Sequence, residues 1–145
     1  MITLEFNTEI KATPEKVWQV LWNDATYREW TSAFCEGSYA ISNWNEGDSV
    51  HFLSPSGDGM NSVIAKKTDN QYMAFKHLSE LKNFKEMPVD QAAQEWIGSM
   101  ETYELSQNGN TTSLKVKVDS VEKFKDYFTD VFPKALEIVK QLSEK

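Results

Sequence analysis

The sequence is poor in the groups that make disulfide, metal or phosphate chemistry easy. Its 145 residues include one cysteine, Cys35. No intramolecular disulfide can close, and a reducing, cytoplasmic setting is expected. There is one arginine, Arg28, so two-point guanidinium grips on phosphate or carboxylate are nearly unavailable. The two histidines, His51 and His77, stand far from each other and from Cys35 along the chain, without paired ligand spacing. No metal and no cofactor are expected. No apolar run approaches the ~18–20 residues of a membrane span. The opening MITLEFNTEI has neither a basic start nor a continuous apolar stretch, so no signal peptide is expected. Gly57 and Gly59 sit in a turn and do not lead from a buried strand into a helix, which excludes a phosphate-binding glycine loop. No Gly-x-Ser-x-Gly nucleophile motif occurs. Acids outnumber bases 22 to 15, for a net charge of -7. That argues against nucleic acid as a partner, because such binding rests on clustered Lys and Arg.

What the chain has is aromatic bulk: five Trp, five Tyr and eight Phe. Three of the tryptophans, Trp18, Trp22 and Trp30, fall between Ala12 and Trp30. The length fits one domain, residues 1–145, able to bury roughly 68–70% of its unfolded surface. No linker or internal repeat divides it.

Ile2 to Lys11 alternates, with Ile2, Leu4, Phe6 and Ile10 on one face, as in a half-buried strand. Thr13-Pro14-Glu15 opens a helix with a cap, a first-turn proline and an acid at the positive end. Val17, Trp18 and Leu21 make its apolar stripe. Asn23-Asp24 stops it, and Asp24 is placed to cap a second short helix through Trp30. Strands follow at 38–43, 49–53, 60–68, 71–81, 98–107 and 111–119. Turn signals separate them at 44–48, 55–59 and 69–70, with a hairpin at Asn108-Gly109-Asn110. From Val121 to about Ser143 the apolar positions recur every three to four residues, which predicts one long amphipathic helix. Pro133 should kink it or break it in two. An antiparallel sheet with two short helices early and a long helix last is an α+β layout, and only the last helix is long enough to cover the sheet.

That order resembles the helix-grip fold of the START, polyketide-cyclase and pollen-allergen (SRPBCC) superfamily. The local wording is similar to the activator of heat shock protein 90 ATPase homologue-like proteins. The residues that carry the resemblance span the chain. They are Thr13 to Trp18 and Trp30, Gly57-Asp58-Gly59-Met60, Phe75-Lys76-His77-Leu78, Glu101 to Leu105, and Phe128 to Leu136. The resemblance implies six to seven curved strands wrapped on the C-terminal helix, with a cavity between them. It implies a small hydrophobic ligand, lipid or polyketide-like. In one branch it implies contact with a chaperone whose ATPase is stimulated, and in others a cyclase or hydrolase. Lys82 to Ile97 departs from the pattern. It is long, contains Pro88 and suggests a helical turn at 89–96, a stretch suited to a binding loop over the cavity mouth.

Strand parity nominates the site. Met73, Phe75, His77 and Leu81 share one face, as do Glu101, Tyr103 and Leu105. If these faces point inward, His77, Glu101 and Tyr103 lie among apolar neighbours, and Glu101 needs a partner. The alternative is a satisfied polar cluster at the sheet edge with Glu101 exposed. The ligand-binding candidates are Phe52, Ile64, Phe75, His77, Glu101, Tyr103, Phe124 and Phe128, with Trp30 near one end of the cavity. Trp18 and Trp30 are expected to be packed, and Trp22 partly exposed. Phe124, Phe128 and Phe132 would roof the cavity. Binding without catalysis is the expected activity. The alternatives are a chaperone-ATPase regulator and an enzyme using Glu101 and His77. A monomer or homodimer is expected.

Overall fold

The computed structural model describes residues 1–145. Strand β1, Ile2–Ile10, keeps the alternation of the sequence: Ile2, Leu4, Phe6 and Ile10 turn inward, while Thr3, Glu5, Asn7 and Glu9 stay exposed. Helix α1, Pro14–Trp22, starts where the cap signal places it. The Thr13 hydroxyl accepts the Lys16 N–H at 3.2 Å, satisfying one of the helix's orphan donors. Helix α2, Asp24–Thr31, follows at once. Its cap is Asn23 and not Asp24, because Asn23 is the residue held in extended conformation. Asp24 is the first helical residue and pairs with Arg28 one turn on, at 3.0 Å.

The strands are β2 (Tyr39–Ile41), β3 (Ser49–Leu53), β4 (Gly59–Thr68), β5 (Tyr72–Lys82), β6 (Lys85–Glu86), β7 (Met100–Asn108) and β8 (Thr111–Ser120). They form one curved antiparallel sheet, ordered β1-β8-β7-β5-β4-β3-β2, with β6 pairing the far end of β5. The expected 108–110 hairpin closes on the Asn108–Thr111 pair, with Gly109 at φ 64°. There are eight strands, beyond the six to seven expected. The extra one comes from 82–97: Asn83 and Phe84 both take positive φ, which closes a tight hairpin. The helical turn expected at 89–96 is reduced to a 3-10 turn at Ala93–Glu95.

Helix α3, Lys125–Ser143, runs through Pro133 without a break. It begins four residues later than its periodicity suggests, since Glu122–Phe124 form a separate 3-10 turn after extended Val121. Burial along this segment is uneven. None of residues 121–130 is buried, whereas Val131, Phe132, Ala135, Leu136, Val139 and Leu142 are. A curved sheet wrapped on a long C-terminal helix is the helix-grip arrangement that the sequence resemblance implies. No helix is long and apolar enough to cross a membrane.

The end of α3 is clamped to the end of β1. The Lys11 amide donates to Glu144 Oε2 at 2.9 Å, Lys140 Nζ donates to the Glu9 carbonyl at 2.8 Å, and Lys140 lies 3.0 Å from Glu144. The Lys11 amide, and next the Lys140 ammonium, hold the Glu144 carboxyl below its usual value near 4.5. A carboxyl depressed by folding stabilises the fold above that usual value and stops doing so as pH falls through its folded value. Hydrogen exchange should therefore show the Lys11 amide protected at neutral pH and progressively less so in acid. Glu144→Gln should remove the acid dependence.

Candidate functional site

A cavity of about 910 Å³ lies between the sheet, α2 and the start of α3. Helix α2 and the residues after it contribute Tyr27, Trp30, Thr31 and Phe34, an i, i+3, i+4, i+7 stripe. Strand β3 contributes Phe52, β5 contributes Phe75 and His77, and β7 contributes Glu101 and Tyr103. Phe128 and Phe132 of α3 close the top, and nothing beyond Phe132 takes part. Further wall comes from Asp58 of the β3–β4 turn and Gly59 at the start of β4, from the 82–97 segment (Glu95, Trp96) and from the 3-10 turn before α3 (Lys123, Phe124), with Asp58, Glu95, Lys123 and Phe124 exposed to solvent.

The walls are continuous aromatic packing. Trp22 meets Tyr103, Phe75 and Trp44 at centroid distances of 5.0, 5.4 and 5.7 Å. Trp30 meets Tyr27 at 5.4 Å and Tyr103 at 6.2 Å. Phe132 stacks on Phe6 of β1 at 4.9 Å and takes Phe34 edge-on at 4.8 Å. Such pairs add stability beyond their burial, and their offset geometry fixes ring orientation. Trp30 also donates its indole N–H to the Leu21 carbonyl at 3.1 Å. That carbonyl is one of the last four of α1, which have no partner inside their own helix. The buried Trp22 Nε1 has no partner at all.

One polar chain interrupts the apolar wall. The Tyr103 hydroxyl donates to Glu101 Oε2 at 2.5 Å. His77 Nε2 lies 3.3 Å from Glu101 Oε1. On its other side, His77 Nδ1 meets the Ser62 hydroxyl at 2.6 Å. With its proton on Nε2, a neutral imidazole donates to the carboxylate and accepts from Ser62, so every group is satisfied. Burial, and then the neighbouring carboxylate, hold the Tyr103 phenol well above its ordinary value near 10, which keeps it a donor. Burial and the same carboxylate also raise Tyr27. The Glu101 side chain keeps 22% exposure. Serine, imidazole and carboxylate in sequence suggest acyl transfer, yet Ser62 has no exposed area and does not reach the cavity wall. A nucleophile must meet its substrate, so Ser62 serves as a tether for the ring.

Tyr103→Phe tests this network. It keeps the ring and removes one charge-assisted donor from a mostly buried carboxylate. A loss of about 1.5–3 kcal/mol in unfolding free energy is expected from urea titration. A loss under about 0.5 kcal/mol would mean that the bond is not a structural one.

Of the residues nominated from sequence, Trp30, Phe52, Phe75, His77, Glu101, Tyr103 and Phe128 line the cavity. Phe124 touches it too, although it is 46% exposed and stands before α3, so it is no roof residue. Ile64 does not line it. It has no exposed area and lies in the core opposite Phe75. Pairing with Phe75 puts it on the inward face that parity assigns, and its full burial within the core keeps it out of the cavity wall. Trp18, expected to be packed, does pack against the core while staying half-buried, with its ring edge-on to Trp22 at 6.0 Å. Trp22, Tyr27, Phe34 and Trp96 were missed as wall residues. The helical spacing from Tyr27 to Phe34 was the available signal for two of them.

No protein-family model and no curated protein matches the sequence. Solved structures match the fold. A solution structure of the Aha1 dimer from Colwellia psychrerythraea is similar at a TM-score of 0.76 with 20% identity, over 99% of this chain and 97% of that one. Protein MLL2253 from Mesorhizobium loti also reaches a TM-score of 0.76, with 16% identity over 97% and 96% of the two chains. CalU16 from Micromonospora echinospora is similar at 0.68 with 12% identity, over 97% and 75%. Likeness at these identities speaks for a shared helix-grip fold.

Proposed function

We propose that this protein binds a small, mainly apolar molecule in the cavity between its sheet, α2 and the start of α3, and does not transform it. The observation that supports this best is the cavity itself: about 910 Å³, walled by aromatic rings, with one hydrogen-bonded polar chain inside. Concave apolar walls with a few convergent polar groups are what ligand sites have in common. Affinity would come from apolar area removed from water, at roughly 25 cal/mol per Å² before the costs of association. The His77–Glu101–Tyr103 chain would set orientation. Catalysis is not favoured, because the one serine joined to His77 is sealed off.

Mass spectrometry under non-denaturing conditions, on protein as purified, is the direct test, followed by ligand-detected NMR against lipid and polyketide panels. A co-purifying small molecule or a binder from the panels supports the reading. Failure of both defeats it. The second reading, a chaperone-ATPase regulator acting by protein contact, draws on the sequence resemblance and on the structural likeness to the Aha1 dimer. It predicts a change in chaperone ATP turnover when this protein is added.

A further inference from the structure

The charges around the cavity are one-sided. Its wall includes five carboxylates, those of Asp58, Glu80, Glu95, Glu101 and Asp119, against one lysine, Lys123. Lys123 is exposed, with its Nζ over the Phe124 ring at 5.3 Å. The single arginine is spent outside the cavity, between Asp24 at 3.0 Å and the Tyr39 ring at 5.0 Å. No arginine therefore lines the cavity, and its one lysine is on an exposed turn.

The carboxylates are not equivalent. Asp119 uses one oxygen on the Thr3 hydroxyl at 2.7 Å and the other on the Met100 amide at 3.0 Å, so it is a strut between β1, β7 and β8. Asp58, Glu80 and Glu95 are exposed. Glu101 stands among aromatic rings with one donor on each oxygen, Tyr103 on Oε2 and His77 on Oε1. An ionised carboxylate offers about four lone-pair sites, so roughly two remain. Both neighbours in contact with it present hydrogen-bond donors, and both are fixed: Tyr103 is 2% exposed and His77 is 8% exposed. Glu101 is thus a pre-oriented acceptor in an apolar, ring-lined space.

Resting on the binding role proposed above, we infer that the cavity selects apolar molecules that carry a protonated amine, with the ammonium donating to Glu101. The ammonium completes the carboxylate's unused acceptor sites, and nearby ring faces add cation–π attraction. The exposed acidic residues of the wall raise the local concentration of cations. A carboxylate-ended molecule of the same length meets Glu101 with no arginine to compensate it, and like charges brought together cost binding. An alcohol can donate to Glu101 but gains only a hydrogen bond without the second charge.

The test uses three probes of one chain length: decylamine, decan-1-ol and decanoate. Titrations at neutral pH and moderate salt, below the concentrations at which the probes aggregate, are followed by calorimetry and by indole fluorescence. Decylamine should bind about tenfold more tightly than the alcohol, as expected when a charge-assisted bond replaces a neutral one. Decanoate should be weakest. Glu101→Gln should bring the amine to the alcohol's affinity, while Glu29→Gln, an exposed control, should leave the ranking unchanged. Contacts between the amine's first methylene and the Tyr103 ring, seen as intermolecular NOEs on the unaltered protein, serve if Glu101→Gln does not fold. Decanoate binding as well as decylamine, or an amine preference that survives Glu101→Gln, overturns the inference. Alcohol binding without amine preference overturns it while leaving the cavity reading intact. Silence from all three probes and from the wider panels overturns both.

Discussion

Trp30→Ala should cost about 3–5 kcal/mol of unfolding free energy, the range for a buried ring cut to a methyl. The indole is 2% exposed and packs against Tyr27, Phe34 and Tyr103, so little around it is free to collapse into the gap. Its loss also strips the Leu21 carbonyl of its hydrogen bond at the end of α1. An unmet buried carbonyl adds about 1 kcal/mol or more. Against the 5–15 kcal/mol typical of whole domains, that leaves a protein close to unfolding. Urea titration should show a much lower midpoint with an unchanged slope. Trp30→Phe separates the two contributions: most of the packing stays and the hydrogen bond goes, for about 1–2 kcal/mol. A loss of under about 2 kcal/mol for the alanine variant would mean that α2 can repack without the indole.

Gly59→Ala should be the most damaging single-methyl change, at about 3 kcal/mol. A Cβ at Gly59 would stand 1.7 Å from the Phe52 carbonyl oxygen and 2.8 Å from its carbon. Those are backbone atoms of the paired strand, which no rotamer change can move aside. The methyl must push β3 and β4 apart where Leu53 faces Gly59, and Phe52 goes with them. Stability and cavity shape should therefore change together, seen as a lower urea midpoint and as altered NMR shifts for Phe52 and Phe75, whose rings meet at 5.0 Å. An alanine variant as stable as the parent would show that this rung of the sheet is slack.

Much of this was legible in the chain because its signals are local. Alternation in β1, the Thr13-Pro14 start of α1 and the apolar period of α3 each depend on neighbours within a turn or two. The polar chain was legible for a related reason. His77 belongs to the inward parity of β5, Glu101 and Tyr103 to that of β7, and the two strands pair with Phe75 opposite Glu101. Parity gives the face and not the depth: Ile64 shares the inward face with Phe75, yet its full burial keeps it out of the wall. Two features had no local signal. Residues 85–86 became a strand because Asn83 and Phe84 turn the chain back on β5. Trp22 became a wall residue only because Trp44, Phe75 and Tyr103 converge on it from other elements.

Helix α3 is two things in one rod. Beyond Val131 it is anchored by buried side chains and by the Lys11–Glu144 bond, while its first turns hold no buried residue. A segment with so little burial opens at a small fraction of the free energy that unfolds the whole domain. Cutting by a protease and exchange of amide hydrogens should both reach 122–130 well before the anchored half of α3. A guest of the kind proposed above would then come and go past this end of the helix as often as that short stretch breathes, with the anchored half and the sheet undisturbed.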